Sequence, residues 1–107
     1  MYGVWNFHIG PQSQQLSIND LNQVYGEVEE ARSQWYHIGL ELRVSANDLD
    51  AIKSRNRDDP KDCLTEMLKV FLKRTDPKPT WAQLADAVGS KTVGYGYLVE
   101  RIRKPKH

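Results

Sequence analysis

The stretch DDPKDCLTEMLKVFLKRTDPKPTWAQLADAV, residues 58–88, decides the fold. Its first apolar side chains recur at spacings of three and four, which places them on one face of an α-helix. They are Cys63, Leu64, Met67, Leu68, Phe71 and Leu72. Asp59 suits the N-cap, and Pro60 suits the first turn because its missing N–H would have had no intrahelical partner. We predict a helix that buries this face and ends before Pro77 and Pro79.

A second helix is predicted directly after these prolines. Thr80 and Gln83 form the Thr-x-x-Gln pattern of a capping box, in which each side chain bonds the backbone N–H of the other residue. Trp81, Leu84, Ala85 and Val88 form the apolar stripe that follows. Gly89 stands where a helix C-cap is expected.

Two N-capping serines mark further helices on the N-terminal side. Ser17 is followed by Asp20 at the third position, and Ser45 is followed by Asp48 in the same way. Leu16 and Val44 precede the two caps and are placed to pack back onto their helices.

Between these two caps, residues 34–42 predict another helix. Trp35, Ile38, Gly39 and Leu42 share one face by their spacing of i, i+3, i+4 and i+7. A glycine within a helix costs about 1 kcal/mol relative to alanine, so we expect Gly39 to allow a neighbouring element to approach closely.

A last helix is expected over residues 95–103. The sequence thus predicts an all-α fold, a six-helix antiparallel bundle with no strand. The expected core is Leu21, Val24, Val28, Trp35, Ile38, Leu42, Leu49, Ile52, Leu64, Met67, Leu68, Phe71, Trp81, Leu84, Val88, Leu98 and Ile102.

The domain is expected to span residues 16–104. Residues 1–15 are interpreted as an N-terminal extension or linker, although Trp5, Phe7 and Ile9 alternate with polar residues and also fit a short strand. Residues 105–107 are expected to fray.

Composition bounds the class of protein. At 107 residues with 39% hydrophobic residues, the chain fits one globular domain. No run of about 18 apolar residues and no signal-peptide pattern is present, and a single cysteine cannot form an intrachain disulfide. These features favour a cytoplasmic protein.

Charge is unevenly distributed along the chain. Residues 1–50 carry two basic and seven acidic side chains, a net of −5, and residues 51–107 carry thirteen basic and seven acidic, a net of +6. This split either favours association through opposite patches or reflects solvated helix faces without a partner.

Four segments together resemble the death domain of apoptotic and innate-immune signalling proteins. They are WYHIGLEL (35–42), SANDLDAI (45–52), LTEMLKVFL (64–72) and PTWAQLADAV (79–88). The resemblance covers residues 16–103 and implies a Greek-key helix order. It also implies homotypic association, in which the chain binds itself or other death-domain proteins in signal transduction, without catalysis, cofactor or small-molecule substrate.

Charged residues on the exposed helix faces are the candidate binding residues. The basic candidates are Lys53, Arg55, Arg57, Lys61, Lys69, Lys73 and Arg101. The acidic candidates are Glu27, Glu29, Glu30, Glu41, Asp48, Asp50 and Asp58. A single exposed pair contributes only about 0–1 kcal/mol, so binding would need several pairs together.

Other chemistry has weaker support in the sequence. His8, His37, His107 and Cys63 lack a metal-ligand spacing, and no nucleophile motif is present, so we expect neither a metal site nor an enzyme. The alternative function is nucleic-acid binding by the basic C-terminal end. Its residues are Lys91, Arg101, Arg103, Lys104 and Lys106, with Tyr95 and Tyr97 available for stacking. A further alternative is a helical module that binds an unrelated short peptide in a groove.

Overall fold

Six α-helices form the part of the chain that the computed structural model describes, residues 15–103. They are α1 (Leu21–Val28), α2 (Trp35–Glu41), α3 (Ala46–Arg55), α4 (Pro60–Leu72), α5 (Trp81–Val88) and α6 (Gly96–Arg103). The all-α prediction is confirmed. The expected frayed tail and nearly all of the expected N-terminal extension lie outside the described residues.

The caps read from the sequence start the helices as predicted. Ser45 Oγ accepts the N–H of Asp48 at 3.1 Å, and Asp59 Oδ1 accepts the N–H of Asp62 at 3.0 Å. At α5 the box is reciprocal, since the N–H of Gln83 donates to Thr80 Oγ1 and the N–H of Thr80 donates to Gln83 Oε1, both at 3.2 Å.

The chain entering and leaving α1 differs from the prediction of one simple helix. Ser17 and Asp20 form a capping box around a 3-10 turn, Ile18–Asp20, which leads into α1. A second 3-10 segment, Glu29–Gln34, joins α1 to α2 and buries Ala31 completely. Ala31 was missed as a core residue because it lies between the two predicted helices, although Val28 and Trp35 stand at helical spacing from it.

Helix α4 is the centre of the bundle. It packs against α1, α2 and α3, while α5 packs against α6 and α2, and α6 reaches back to α1. All of the expected core residues except Leu21 are buried, and Leu21 packs on the core edge. The predicted apolar faces of α4 and α5 also bury Cys63, Leu72 and Ala85, and the remaining buried residues are Leu16, Ala31, Val44, Ala87 and Val93.

Gly39 allows α2 to approach α3 and α4 closely. A Cβ at this position would lie 2.6 Å from Leu49 Cδ2 and 3.1 Å from Met67 Cγ. Both distances are shorter than van der Waals contact, so the expected role of Gly39 is confirmed.

Gly89 is the C-cap of α5, as predicted, but its backbone is right-handed, with φ −86°. A Cβ here would lie 2.6 Å from Val99 Cγ2 on α6. The missing side chain of Gly89 therefore allows α6 to pack closely against the end of α5, and it is not needed for a left-handed backbone.

The described chain begins by pairing with the start of α5. Gln15 forms an isolated antiparallel bridge with Thr80, and the N–H of Leu16 donates to the Pro79 carbonyl at 2.8 Å. The side chain of Leu16 is buried. These contacts hold the start of the domain against the turn between α4 and α5.

Candidate functional site

The outer face of α3 and the turn after it carry exposed charges of both signs. Lys53, Arg57 and Asp58 are exposed and form no ion pair within residues 15–103. The Tyr36 hydroxyl donates a hydrogen bond to Asp50 Oδ1, with the two oxygens 2.7 Å apart, and this bond raises the pKa of Tyr36. We call the group Asp50, Lys53, Arg57 and Asp58 the α3–α4 turn surface.

The end of α3 has a Schellman motif with an arginine where glycine is usual. The N–H of Asp58 donates to the Lys53 carbonyl at 2.8 Å, and the N–H of Arg57 donates to the Ser54 carbonyl at 3.4 Å. Arg57 has φ 53° and Asp58 has φ 58°, so both backbones are left-handed. This conformation costs an L-residue such as arginine roughly 1–2 kcal/mol.

The end of α2 repeats the same motif. The N–H of Val44 donates to the Gly39 carbonyl at 2.9 Å, the N–H of Arg43 donates to the Leu40 carbonyl at 3.0 Å, and Arg43 has φ 66°. Two helices of this domain thus place arginine at the position that favours glycine.

The solvent side of α4 is mainly basic. Lys61 and Lys69 lie on it, and Lys73 is the residue that caps its C-terminal end. All three are exposed, and none forms an ion pair within the described chain. These side chains are free to meet acidic groups of a partner.

Arg55, one of the basic candidates, forms an ion pair with Glu66 on α4. Its Nη2 lies 2.6 Å from Glu66 Oε1, and Asn56 Nδ2 donates to Glu66 Oε2 at 2.6 Å. The hydrogen bonds from Arg55 and then Asn56 lower the pKa of the Glu66 carboxyl. This network ties the end of α3 to α4.

The stability of the domain should therefore fall in acid partly through Glu66. Because the folded state lowers its pKa, Glu66 contributes stability above its unfolded pKa of about 4.3, and the contribution is lost as pH falls through the folded value. We expect wild type to lose more unfolding free energy than Glu66→Gln between about pH 5 and pH 3. Urea unfolding at stepwise pH measures this difference, and parallel pH profiles would contradict it.

Three further candidates form ion pairs with one another while their side chains stay partly exposed. Arg101 on α6 lies 3.1 Å from Glu27 and 2.7 Å from Glu30, and its Nη2 donates to the Gly26 carbonyl at 2.9 Å. Tyr97 donates its hydroxyl proton to Glu30 at 2.7 Å, and this bond, followed by that of Arg101, lowers the pKa of Glu30. The cluster fastens α6 to the end of α1.

The remaining acidic candidates stay exposed. Glu29 lies in the 3-10 segment after α1, Glu41 ends α2, and Asp48 lies in the first turn of α3. None of the three forms an ion pair within residues 15–103. They remain available, whereas Glu27 and Glu30 are already paired.

Two basic residues of the C-terminal end already form ion pairs with acidic residues of the same chain. Arg103 approaches Asp86 at 3.6 Å, and Arg101 is paired as described above. The rings of Tyr95 and Tyr97 lie 5.9 Å apart at a tilt, with Tyr97 tied to Glu30. Lys104 and Lys106, on which the nucleic-acid alternative also depends, lie outside the described residues.

A cleft of about 440 Å³ lies between the ends of α2 and α4 and the side of α5. We call it the α2–α5 cleft, and its charged residues are Glu41, Arg43, Arg74, Asp76 and Asp86. Arg74 is half-buried, donates to the Leu42 carbonyl and lies over the Phe71 ring at 5.7 Å. No carboxylate of the described chain pairs with Arg74, and burial lowers the pKa of its guanidinium. The cleft therefore offers a partly desolvated cation to an incoming anion.

Metal-ligating chemistry is not assembled in the described part of the chain. No three His, Cys, Asp or Glu side chains of residues 15–103 are grouped to hold a metal ion. Cys63 is fully buried, and this burial raises the pKa of its thiol. His37 Nδ1 lies 3.1 Å from Gln34 Oε1 at the exposed start of α2. His8 and His107 lie outside the described residues.

No α-helix within residues 15–103 is long and apolar enough to cross a membrane. Comparison with protein families gives a match to the model described as Death domain over residues 18–103. No curated protein and no solved structure matched the chain significantly. The family match covers all six helices of the described bundle.

Proposed function

The chain belongs to the death domain family, and from this premise we propose that it is an adaptor module that associates homotypically with death domains. Its partners would be further copies of itself or death domains of other proteins. The setting would be cytoplasmic signal transduction that leads to apoptosis or an innate-immune response.

The observation that carries this proposal is the set of charges that the fold leaves unpaired. Lys53, Arg57, Lys61, Lys69 and Lys73 are exposed on adjacent helices α3 and α4 and on the turn that joins them. Arg55 and Arg101 already form internal ion pairs, so the proposal depends on the unpaired cations and not on these two. Five exposed cations on two neighbouring helices and the turn between them give a partner of opposite charge several contacts.

Acidic residues on other parts of the surface supply the complementary charge. Glu29 is exposed directly after α1, Glu41 at the end of α2 and Asp48 in the first turn of α3. We expect the cations of one copy to contact these anions of the next copy, which makes the contact head-to-tail. Such contacts do not close after two copies, so they can build larger assemblies.

Charge reversal at Lys69 tests the proposed function. Lys69→Glu is expected to weaken association with a death-domain partner or with itself while leaving the unfolding free energy within about 0.5 kcal/mol of wild type, because Lys69 is exposed and unpaired. Sedimentation velocity across a concentration series measures the association, and urea unfolding measures the stability. Lys91→Glu, an equal charge change in the exposed loop before α6, serves as the control.

Arg57→Glu should behave like Lys69→Glu, because Arg57 is exposed on the adjacent turn. If both reversals left association at the wild-type level, or weakened it no more than Lys91→Glu does, the basic side of α3 and α4 would not be a binding surface.

A further inference from the structure

We propose that the α2–α5 cleft of one copy binds the α3–α4 turn surface of a second copy. This contact rests on the proposed function, since it specifies one way in which copies of the chain associate. It pairs two surfaces whose charges the fold leaves largely unsatisfied, and it identifies Asp58 as the side chain that enters the cleft.

The cleft has the chemistry of a carboxylate-binding site. Arg74 is half-buried and has no carboxylate partner in the described chain, and exposed Arg43 lines the same cleft without an ion pair. A guanidinium can bind a carboxylate through two parallel hydrogen bonds, which are stronger where water is partly excluded. The Leu42 carbonyl and the Phe71 ring already fix the position of Arg74, so little ordering is needed on binding.

The rim of the cleft has the opposite charge. Glu41 and Asp76 line it and form no ion pair within residues 15–103, while Asp86 reaches Arg103 only at 3.6 Å. A ligand that fits must therefore bring a carboxylate for the arginines and cations for the rim.

The α3–α4 turn surface presents this combination. Asp58 is exposed in the turn with unpaired Lys53 and Arg57 beside it, and these residues line one shallow depression with Asp50. When Asp58 of one copy binds Arg43 and Arg74 of the other, its basic neighbours Lys53 and Arg57 can pair with the carboxylates at the rim of the cleft. Charges of both signs are thereby matched, which favours this pairing over like-charged alternatives.

Backbone conformation independently marks the same two surfaces. Arg43 in the cleft and Arg57 in the turn are the C′ residues of their Schellman motifs, with φ 66° and φ 53°. Glycine would occupy these positions with less strain. Strained residues that a fold retains are concentrated at functional sites, and here both carry a charge that the proposed contact uses.

The contact is head-to-tail, so two complementary variants can test it. Arg43→Glu damages the cleft and keeps the turn, whereas Asp58→Lys damages the turn and keeps the cleft. Each variant alone is expected to self-associate about tenfold more weakly than wild type, because an attraction becomes a repulsion. Sedimentation velocity of each purified chain measures this loss.

Mixing the two variants is expected to restore one contact. The intact turn of the R43E chain fits the intact cleft of the D58K chain, so an equimolar mixture should associate more strongly than either variant alone. The double variant R43E/D58K should regain part of its self-association, because its reversed charges again face each other. A mixture that associates no better than its components would overturn the proposed contact.

Arg43→Gly separates a binding role from a structural one. Glycine should raise the urea midpoint of unfolding because it relieves the left-handed strain, yet it should weaken self-association because the cation is lost. If the midpoint rises and self-association stays at the wild-type level, Arg43 does not bind a second copy and the proposal is wrong.

Failure of this contact can be distinguished from failure of the proposed function. If Lys69→Glu weakens association but Arg43→Glu and Asp58→Lys do not, the domain associates through other surfaces and only the cleft contact is wrong. If the wild-type chain alone remains monomeric at every concentration, a second copy is not the occupant of the cleft, and this proposal fails even where a different death domain is captured.

Discussion

Replacing Trp81 by alanine is expected to remove about 3–5 kcal/mol of unfolding free energy, because the change leaves a large cavity in the core. Trp81 is the first residue of α5 and is 1% exposed. Domains of this kind are stable by about 5–15 kcal/mol in total, so the variant should be partly unfolded at 37 °C. Urea unfolding followed by circular dichroism measures the loss.

Leu40→Ala is the matched control for Trp81→Ala. Leu40 lies on α2 but is 43% exposed, so its truncation should change stability by no more than about 0.5 kcal/mol. A Trp81→Ala variant as stable as Leu40→Ala would mean that α5 does not pack on the bundle as described.

Replacing Gly39 by valine should be nearly as damaging, by about 3 kcal/mol, through overpacking. The new Cβ alone would lie 2.6 Å from Leu49 Cδ2, and Met67 limits movement on the other side. Both of these neighbours are fully buried in the core, so neither can move into solvent. Thermal and urea unfolding of the variant measure the effect.

Gly26→Val is the control for the backbone effect of removing a glycine from a helix. Nothing lies within 4 Å of a Cβ at Gly26 on α1, so valine should change stability by less than about 0.5 kcal/mol there. Equal losses at the two glycines would show that helix propensity, and not the close approach of α2, decides the result.

The helices could be predicted because their signals are local. The capping patterns at Ser45 and Thr80 lie within four residues of the helix starts that they form. The apolar face of α4 is read from spacing alone, and its burial requires only that some partner cover it. The role of Gly39 could also be predicted, because a glycine on an apolar helix face usually allows a neighbouring element to approach closely.

The charged residues were harder to assign because their partners are distant in the sequence. Arg101 bonds Glu27 and Glu30 across more than seventy residues, and nothing near either segment indicates the pairing. The split of net charge between the two halves of the chain therefore overstates the charge that is free. Part of it is neutralised where α6 meets α1.

The left-handed arginines could not be predicted either. Glycine is the sequence signal for the C′ position of a Schellman motif, and Arg43 and Arg57 carry no such signal. The cleft was missed for a related reason, since it is formed by the ends of helices that are far apart in the sequence. Only the packing of α2, α4 and α5 brings Arg43 and Arg74 together.

Light scattering of the wild-type chain against concentration, at low and at high salt, tests homotypic association through charged surfaces most directly. We expect the mean mass to rise with concentration at low salt and to fall back toward the monomer at high salt, because screening weakens contacts between exposed charges. A monomer at every concentration and both salt levels, or growth that salt does not change, would contradict this mode of association.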